Sequence, residues 1–222
     1  MQVTYSATST ILNNNLWQLL QDYCETNETT FVNDIPKFVQ TAEARIYNAV
    51  NLPVLRNNVT GALTVGNKYL SCPTGWLATY SIAVVVAGAY VYLINKDVNF
   101  IREAFPDPTL LGQPTHYAQF DEDTLILGPT PDLAYASEMH YKAIPESITV
   151  ASSNQTWLGD NFGDVLLYGS LREAYTFQKG EEDMMQKYDA LYMESLSFLK
   201  LVGDGEERRD AYRSGQVRIS PQ

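Results

Sequence analysis

The sequence predicts an α+β protein: an antiparallel helical bundle made by its N- and C-terminal helices, an inserted β-rich domain, and an extended C-terminal arm. Three observations carry this. Apolar residues follow the i, i+3, i+4, i+7 series from Ile35 to Val50, strand-like patterning runs from Arg56 to Pro145, and helical spacing returns from Thr156 to Lys200. Neither helical segment can bury its apolar side alone, so each needs the other. A chain of 222 residues is long enough for such a core. The expected division is a discontinuous bundle over residues 11–55 and 151–202, a β-rich domain over 56–150, and an arm over 203–222.

Asn13 to Asn15 offer N-cap side chains to a short first helix beginning Leu16-Trp17-Gln18-Leu19-Leu20. Asp34 is expected to cap the second helix, with Pro36 in its first turn, where a missing N–H costs nothing. Its apolar side is Ile35, Phe38, Val39, Ala42, Ile46, Ala49 and Val50. Lys37, Gln40, Glu43, Arg45 and Asn48 form its wet side, and Pro53 stops it.

From Arg56 strands take over. Thr60–Val65 and Lys68–Cys72 flank Gly66-Asn67, a hairpin turn by composition. Thr79–Ile94 holds one or two buried strands, and Asp97–Phe105 a short helix stopped by Pro106. His116–Phe120 and Thr124–Leu127 flank the acidic turn Asp121-Glu122-Asp123. Tyr135, Ser137, Met139 and Tyr141 then alternate with Ala136, Glu138 and His140 until Pro145 closes the strand.

The third helix is opened by Thr156-Trp157-Leu158-Gly159-Asp160 and carries Leu166, Leu167, Leu171 and Tyr175. Its small residues Gly169, Ser170 and Ala174 allow a neighbouring helix to come close. Gly180 is expected at its left-handed end. Glu181, Glu182 and Asp183 favour the start of the last helix through its dipole. Met184, Tyr188, Leu191, Ser195 and Leu199 mark its seam, and Gly203 and Gly205 release the chain.

Charged residues make up 18% of the chain, and there are 15 tyrosines. That balance fits surfaces that end up against protein, or a tyrosine-rich sheet, or both. A net charge of −11 argues against a protein that grips phosphates. Cys24 and Cys72 make no disulfide framework and read as reduced, intracellular thiols. Met1–Thr10 lacks the features of a signal peptide, and Ile82–Ile94 is too short to span a membrane. A soluble cytoplasmic protein is expected, with its three sequons as chance matches.

No catalytic, metal or cofactor site suggests itself. His116 and His140 belong to no metal-binding spacing, and no phosphate- or dinucleotide-binding loop occurs. Asp121-Glu122-Asp123 lacks the spaced oxygens of a calcium loop. Asp160 and Asp164 are explained as N-terminal capping residues of the third helix.

The tail offers more. Arg208, Arg209, Arg213 and Arg218 are half of the chain's eight arginines. Without residues 206–222 the molecule holds 11 basic against 23 acidic residues. Either the segment is a disordered terminus, or it is an arm that orders on a partner, its arginine forks pairing with carboxylates. Gln216-Val217-Arg218-Ile219-Ser220 alternates well enough to join another sheet. The candidate partner-binding residues are Arg208, Arg209, Tyr212, Arg213, Val217, Arg218 and Ile219.

Four segments in series carry a family resemblance: Ile35–Ile46, Gly112–Ala118, Leu125–Asp132, and Thr156–Leu158 leading into Leu166–Ala174. Their order and spacing resemble the head-to-tail adaptor (connector) proteins of short-tailed bacteriophages over about Ile35 to Leu199. The resemblance implies a structural virion protein of the neck, without enzymatic activity, forming a dodecameric ring under the portal. It further implies that Gly203–Gln222 engages the portal protein, while the β-rich domain faces a tail nozzle or fibre component. DNA would pass through the lumen without specific binding, repelled by acidic residues. Another neck component, such as a head-completion or tail-nozzle protein, is the alternative; a small hydrolase is a remote one.

Overall fold

The computed structural model describes residues 1–7 and 14–214, the stretch 204–214 by its backbone alone. The chain divides into two compact units: Met1–Val54 with the chain from Pro145 onward, and Leu55–Ile144. The first is helical and the second is built of sheets, so the fold is α+β. Residues 145–150, expected with the β-rich domain, lie with the helices, where Ile148 is fully buried.

In the helical unit α1 (Leu16–Cys24) starts at Asn15, whose side chain accepts the Trp17 N–H at 3.2 Å. α2 (Thr29–Ala49) begins five residues before the expected cap at Asp34, so Pro36 lies inside it. The interior proline forfeits one backbone hydrogen bond. Burial of the preceding turn opposes that loss: Phe31 is 1% exposed and its ring meets Phe38 and Phe177 at 5.6 and 6.3 Å. Asp34, freed from capping, pairs with Lys37 at 2.6 Å.

α4 (Trp157–Gln178) is the central helix, packed against α1, α2 and α5 (Glu182–Ser214). Thr156 caps it, accepting the Gly159 N–H. A side chain at Gly169 would stand 3.1 Å from Tyr192 and 3.2 Å from Ala42, so that glycine does allow two helices to close in. Asp160 and Asp164, expected as caps, instead hold the first residues of the chain: Asp160 accepts from the Gln2 amide and Asp164 pairs with the Met1 ammonium, each at 2.9 Å. Val3 and Tyr5 are buried there, their N–H groups donating to the carbonyls of Gly159 and Asn154.

α4 ends with Lys179 in the left-handed region at φ 53°, one residue before the glycine expected there. Along α5, Tyr188, Tyr192, Leu196 and Leu199 are buried, while Met184, Leu191 and Ser195 flank them half-buried. The buried seam thus shares only Tyr188 and Leu199 with the expected one. Gly203 does not release the chain: the helix continues to Ser214. Gly203 is buried where α5 passes the end of α2, and a side chain there would stand 2.8 Å from the Asn51 carbonyl.

The second unit stacks two four-stranded sheets and a helix. One sheet has the order β1 (Arg56–Ala62), β10 (Ala136–Ala143), β3 (Trp76–Val86), β4 (Ala89–Tyr92), all antiparallel. The other runs β2 (Tyr69–Ser71), β8 (Thr124–Gly128), β7 (His116–Gln119), β5 (Ile94–Asn95). Ile82, Val84, Met139 and Tyr141 from the first sheet meet Tyr117, Leu125 and Leu127 from the second in one core. α3 (Val98–Ala104), started by Asp97 as expected, covers the far side of the second sheet through Ile101, Ala118 and Ile126. A two-stranded pair, β6 (Leu111–Gly112) with β9 (Thr130–Pro131), completes the unit.

The turn at Gly66-Asn67 exists, with Gly66 at φ 74°, but it does not close a hairpin. β1 pairs with β10 and β2 with β8, in different sheets. The real hairpins are β3–β4, through Ala87 and Gly88 at positive φ, and β7–β8 over the acidic turn. The Thr79–Ile94 region is also less buried than expected: β4 is almost wholly exposed. The alternation in β10 holds, Met139, Tyr141 and Ala143 facing the core.

Candidate functional site

A folded unit hides large apolar side chains because each one removed from water stabilises it by roughly 1.5–3 kcal/mol. α5 breaks that rule over ten residues. Met193, Phe198, Leu201 and Val202 are all exposed, Leu201 at 67% and Phe198 at 58%. Three of them follow i, i+3, i+4 spacing and so share one side of the helix, away from the buried seam at Leu196 and Leu199. Beside them a groove of about 350 Å³ opens between α4 and α5, with Phe162, Tyr168, Glu194 and Phe198 among its walls. The groove begins where α4 is interrupted, at Phe162 with φ −135° and ψ 41°.

The 33-residue α5 is about 50 Å long, so the strip and the arginine-rich segment ride on one rod. Backbone positions 208, 209, 212 and 213 fall on that rod, not on a loose arm. Position 208 is two turns beyond Leu201, position 209 two turns beyond Val202, and positions 212 and 213 lie a further turn on. Helix period therefore puts the backbone positions of Arg208, Arg209, Tyr212 and Arg213 on the side of the rod that carries the apolar strip. Val217, Arg218 and Ile219 lie outside the described residues. Sequence reasoning misses Met193, Phe198, Leu201 and Val202. Their signal is present, as apolar residues off the seam of an otherwise one-sided helix.

The four-stranded sheet carrying β1 presents a second surface. On its outer face Asn58 donates to Glu138 at 2.6 Å, and the Tyr90 hydroxyl also bonds Glu138, which holds that phenol above its ordinary range. Arg56 lies over the Tyr80 ring at 5.7 Å, and Tyr80 meets His140 at 5.2 Å. Asn58, Ser81, Tyr92, Glu138 and His140 line a shallow pocket of about 370 Å³. This face is polar and aromatic.

Burial pushes the Cys24 thiol up to about 12 and the Cys72 thiol to about 11, away from the reactive thiolate. His116 sits between the rings of Phe100 and Phe105, its Nδ1 bonded to the Thr115 hydroxyl. Among the described residues no three His, Cys, Asp or Glu side chains are placed to hold a metal ion, and no helix is long and apolar enough to cross a membrane.

Glu43 corrects the expectation most sharply. Placed by periodicity on the wet side of α2, it is 3% exposed. One carboxylate oxygen accepts the Ile148 N–H at 3.0 Å and the other has no hydrogen-bond partner. Burial raises its carboxyl above the ordinary range, opposed by the Ile148 N–H and the Ser147 hydroxyl. The neighbouring Tyr47 phenol is raised by burial and by the Glu43 charge. Glu43 ties the segment before α4 to α2. Periodicity misses it because burial on that side depends on a loop 105 residues away in sequence.

Against known proteins, the model of the SU10 adaptor protein family matches residues 9–219. No curated protein matches the chain.

Proposed function

The chain belongs to the SU10 adaptor protein family, bacteriophage adaptor proteins, and from that premise we propose that it forms a ring beneath the portal. The ring joins the portal to the tail and continues the channel through which DNA leaves, with twelve copies as the expected number. The outward side of α5 and the chain beyond it engage the portal protein. The unit Leu55–Ile144 faces the next tail component, a nozzle or fibre protein. The protein works by attachment in the neck of the virion after assembly in the host cytoplasm, with no catalytic step.

The observation that carries the reading is the exposed apolar strip on α5 running into an arginine-rich stretch of the same helix. An apolar centre with arginines beside it is the composition of a docking site, because apolar burial supplies affinity and guanidinium forks supply register. The acidic excess of the remaining chain suits a channel that must not hold DNA, since like charge lets a duplex slide.

The test mixes purified full-length protein with isolated portal and looks for a joint ring, beside a chain ending at Gly203 and a triple variant Arg208→Ala, Arg209→Ala, Arg213→Ala. Both altered chains should fold and fail to join. A triple variant that joins the portal at physiological salt would remove the arginines from the reading. A shortened chain that also joins would remove the whole arm.

A further inference from the structure

Among the described residues the sheet β1-β10-β3-β4 has two open edges, and their geometry matches. β1 is seven residues long and exposed throughout, and it carries no proline, lysine or bulge to protect it. A long bare edge of that kind is a template for another strand. At the opposite edge β4 is exposed at Ala89, Tyr90 and Tyr92.

The backbone groups free to pair can be assigned. Leu63 donates to the Tyr135 carbonyl, which continues the β1–β10 register as a hydrogen-bonded pair. Opposed residues alternate in an antiparallel ladder, so Gly61, Val59 and Asn57 also turn inward. Arg56, Asn58, Thr60 and Ala62 therefore direct their N–H and C=O groups outward. On the other edge Leu93 donates to the Ile82 carbonyl, so Val91 and Ala89 turn toward β3. Tyr90 and Tyr92 turn outward.

The two edges then agree. The residues with outward backbone groups on both edges place their side chains on the same face: Asn58 reaches Glu138 there, and so does Tyr90. Pairing them as opposed residues would leave the core face continuous with the core face. The number of strands is even and every neighbour is antiparallel, so a β4 of one copy beside a β1 of the next, repeated head to tail about an axis along the strands, keeps the alternation. Head-to-tail contacts of this kind close into a ring when the rotation between copies closes, and no edge is then left bare. A β1–β1 contact about a two-fold axis would cover one edge and leave every β4 open.

We propose that a second copy of this chain covers the edge, β4 of one copy pairing antiparallel with β1 of the next, so that the sheets join into one continuous belt. This rests on the ring assembly proposed above. Tyr90 and Tyr92 would stack beside Asn58 and Thr60 across the joint, putting a tyrosine pair at every interface.

Asn58 supplies the test. Its N–H points outward and is not used among the described residues, so Asn58→Pro removes one donor from the joint and none from the sheet. Asn58→Ala keeps the N–H and removes only the Glu138 contact. In native mass spectrometry of the full chain under conditions where the wild type forms its closed multimer, Asn58→Ala should assemble and Asn58→Pro should remain at least tenfold more dissociated. Melting of both variants checks that they fold. If Asn58→Pro does not fold, cross-linking decides. In a Cys24→Ser, Cys72→Ser background, Thr60→Cys with Tyr92→Cys should give a ladder of linked copies with a short bismaleimide, while Thr60→Cys alone gives none.

A closed multimer that ignores Asn58→Pro, or forms without the ladder, overturns the edge pairing and leaves the ring standing. Linked dimers from Thr60→Cys alone overturn it in favour of β1–β1 pairing. A chain ending at Ser214 should assemble like the wild type; its failure would give the edge to residues 216–220 instead. If the wild type forms no closed multimer, alone or with the portal, the ring reading falls and the edge pairing with it.

Discussion

α2 and α5 both lie along α4, and they treat apolar residues in opposite ways. α2 exposes none of its large apolar side chains and even encloses a carboxylate, Glu43. α5 buries Tyr188, Tyr192, Leu196 and Leu199 yet leaves Met193, Phe198, Leu201 and Val202 in solvent. The same α4 is neighbour to both, so the difference is not a shortage of core to pack against. α2 encloses its large apolar side chains, whereas one side of α5 presents them to solvent among the described residues.

The contrast can be broken most directly by cutting into each helix. Phe31→Ala on α2 removes a ring that is 1% exposed and touches Phe38 and Phe177. It should lower the unfolding free energy in urea by about 3–5 kcal/mol. Leu201→Ala, at 67% exposed, should stay within about 0.5 kcal/mol of the parent. Equal losses at the two sites would mean that the outward side of α5 belongs to the core just as α2 does, and the docking argument would go.

The second effect reads attachment instead of stability. Phe198→Glu with Leu201→Glu puts two carboxylates on the exposed strip. The variant should melt like the parent, because neither side chain is part of the seam. Its affinity for the portal should fall by at least about tenfold, some 1.4 kcal/mol. Unchanged binding in a pull-down or by calorimetry would transfer the contact to the chain beyond Gly203 alone.

These contrasts also mark what can be read without coordinates. Local periods are legible: the apolar side of α2, the helix opened by Thr156, and the alternation along β10 all follow from side-chain spacing on a regular backbone. Pairings are not. Gly66-Asn67 has the composition of a hairpin, yet Leu63 turns into one sheet and Tyr69 into the other, a choice made by partners at residues 135 and 126. Helix ends escape sequence reasoning for the same reason. Phe31 draws α2 back past Pro36 because rings from α2 and α4 meet it. Gly203 keeps α5 intact because a glycine is what fits beside Asn51. By sequence a glycine there signals freedom; in the fold it serves contact.

Glu43 sharpens the comparison from the inside. Its carboxyl is raised in the folded chain, chiefly by burial, so between the ordinary carboxylate value and the raised one the folded state holds a proton that the unfolded state has released. The stabilisation is therefore fully present below the ordinary value and is lost as pH rises through the raised one. Glu43→Gln cannot titrate. Its stability should vary less with pH across that window, and at neutral pH it should match or exceed the parent. Parallel curves for the two proteins in pH-dependent urea unfolding would show that the buried carboxylate carries no penalty, and that α2 is less tightly closed than its burial indicates.

The smallest effect concerns the joint between α4 and α5. Lys179 holds φ 53°, a conformation that disfavours any residue with a Cβ, while the glycine stands one place later. Gly180 is needed for space: a side chain there would stand 2.6 Å from the Tyr175 ring, and its N–H donates to the Tyr175 carbonyl at 3.0 Å. Lys179→Gly should therefore raise stability by about 0.5 kcal/mol, the relief of the left-handed turn less the added freedom of the unfolded chain. Gly180→Ala should lower it, by crowding a ring that also packs on Tyr188 at 5.0 Å. The opposite pair of signs would put the left-handed residue at Gly180 after all. The start of α5, and with it the direction in which its exposed side faces, would then have to be redrawn by one residue.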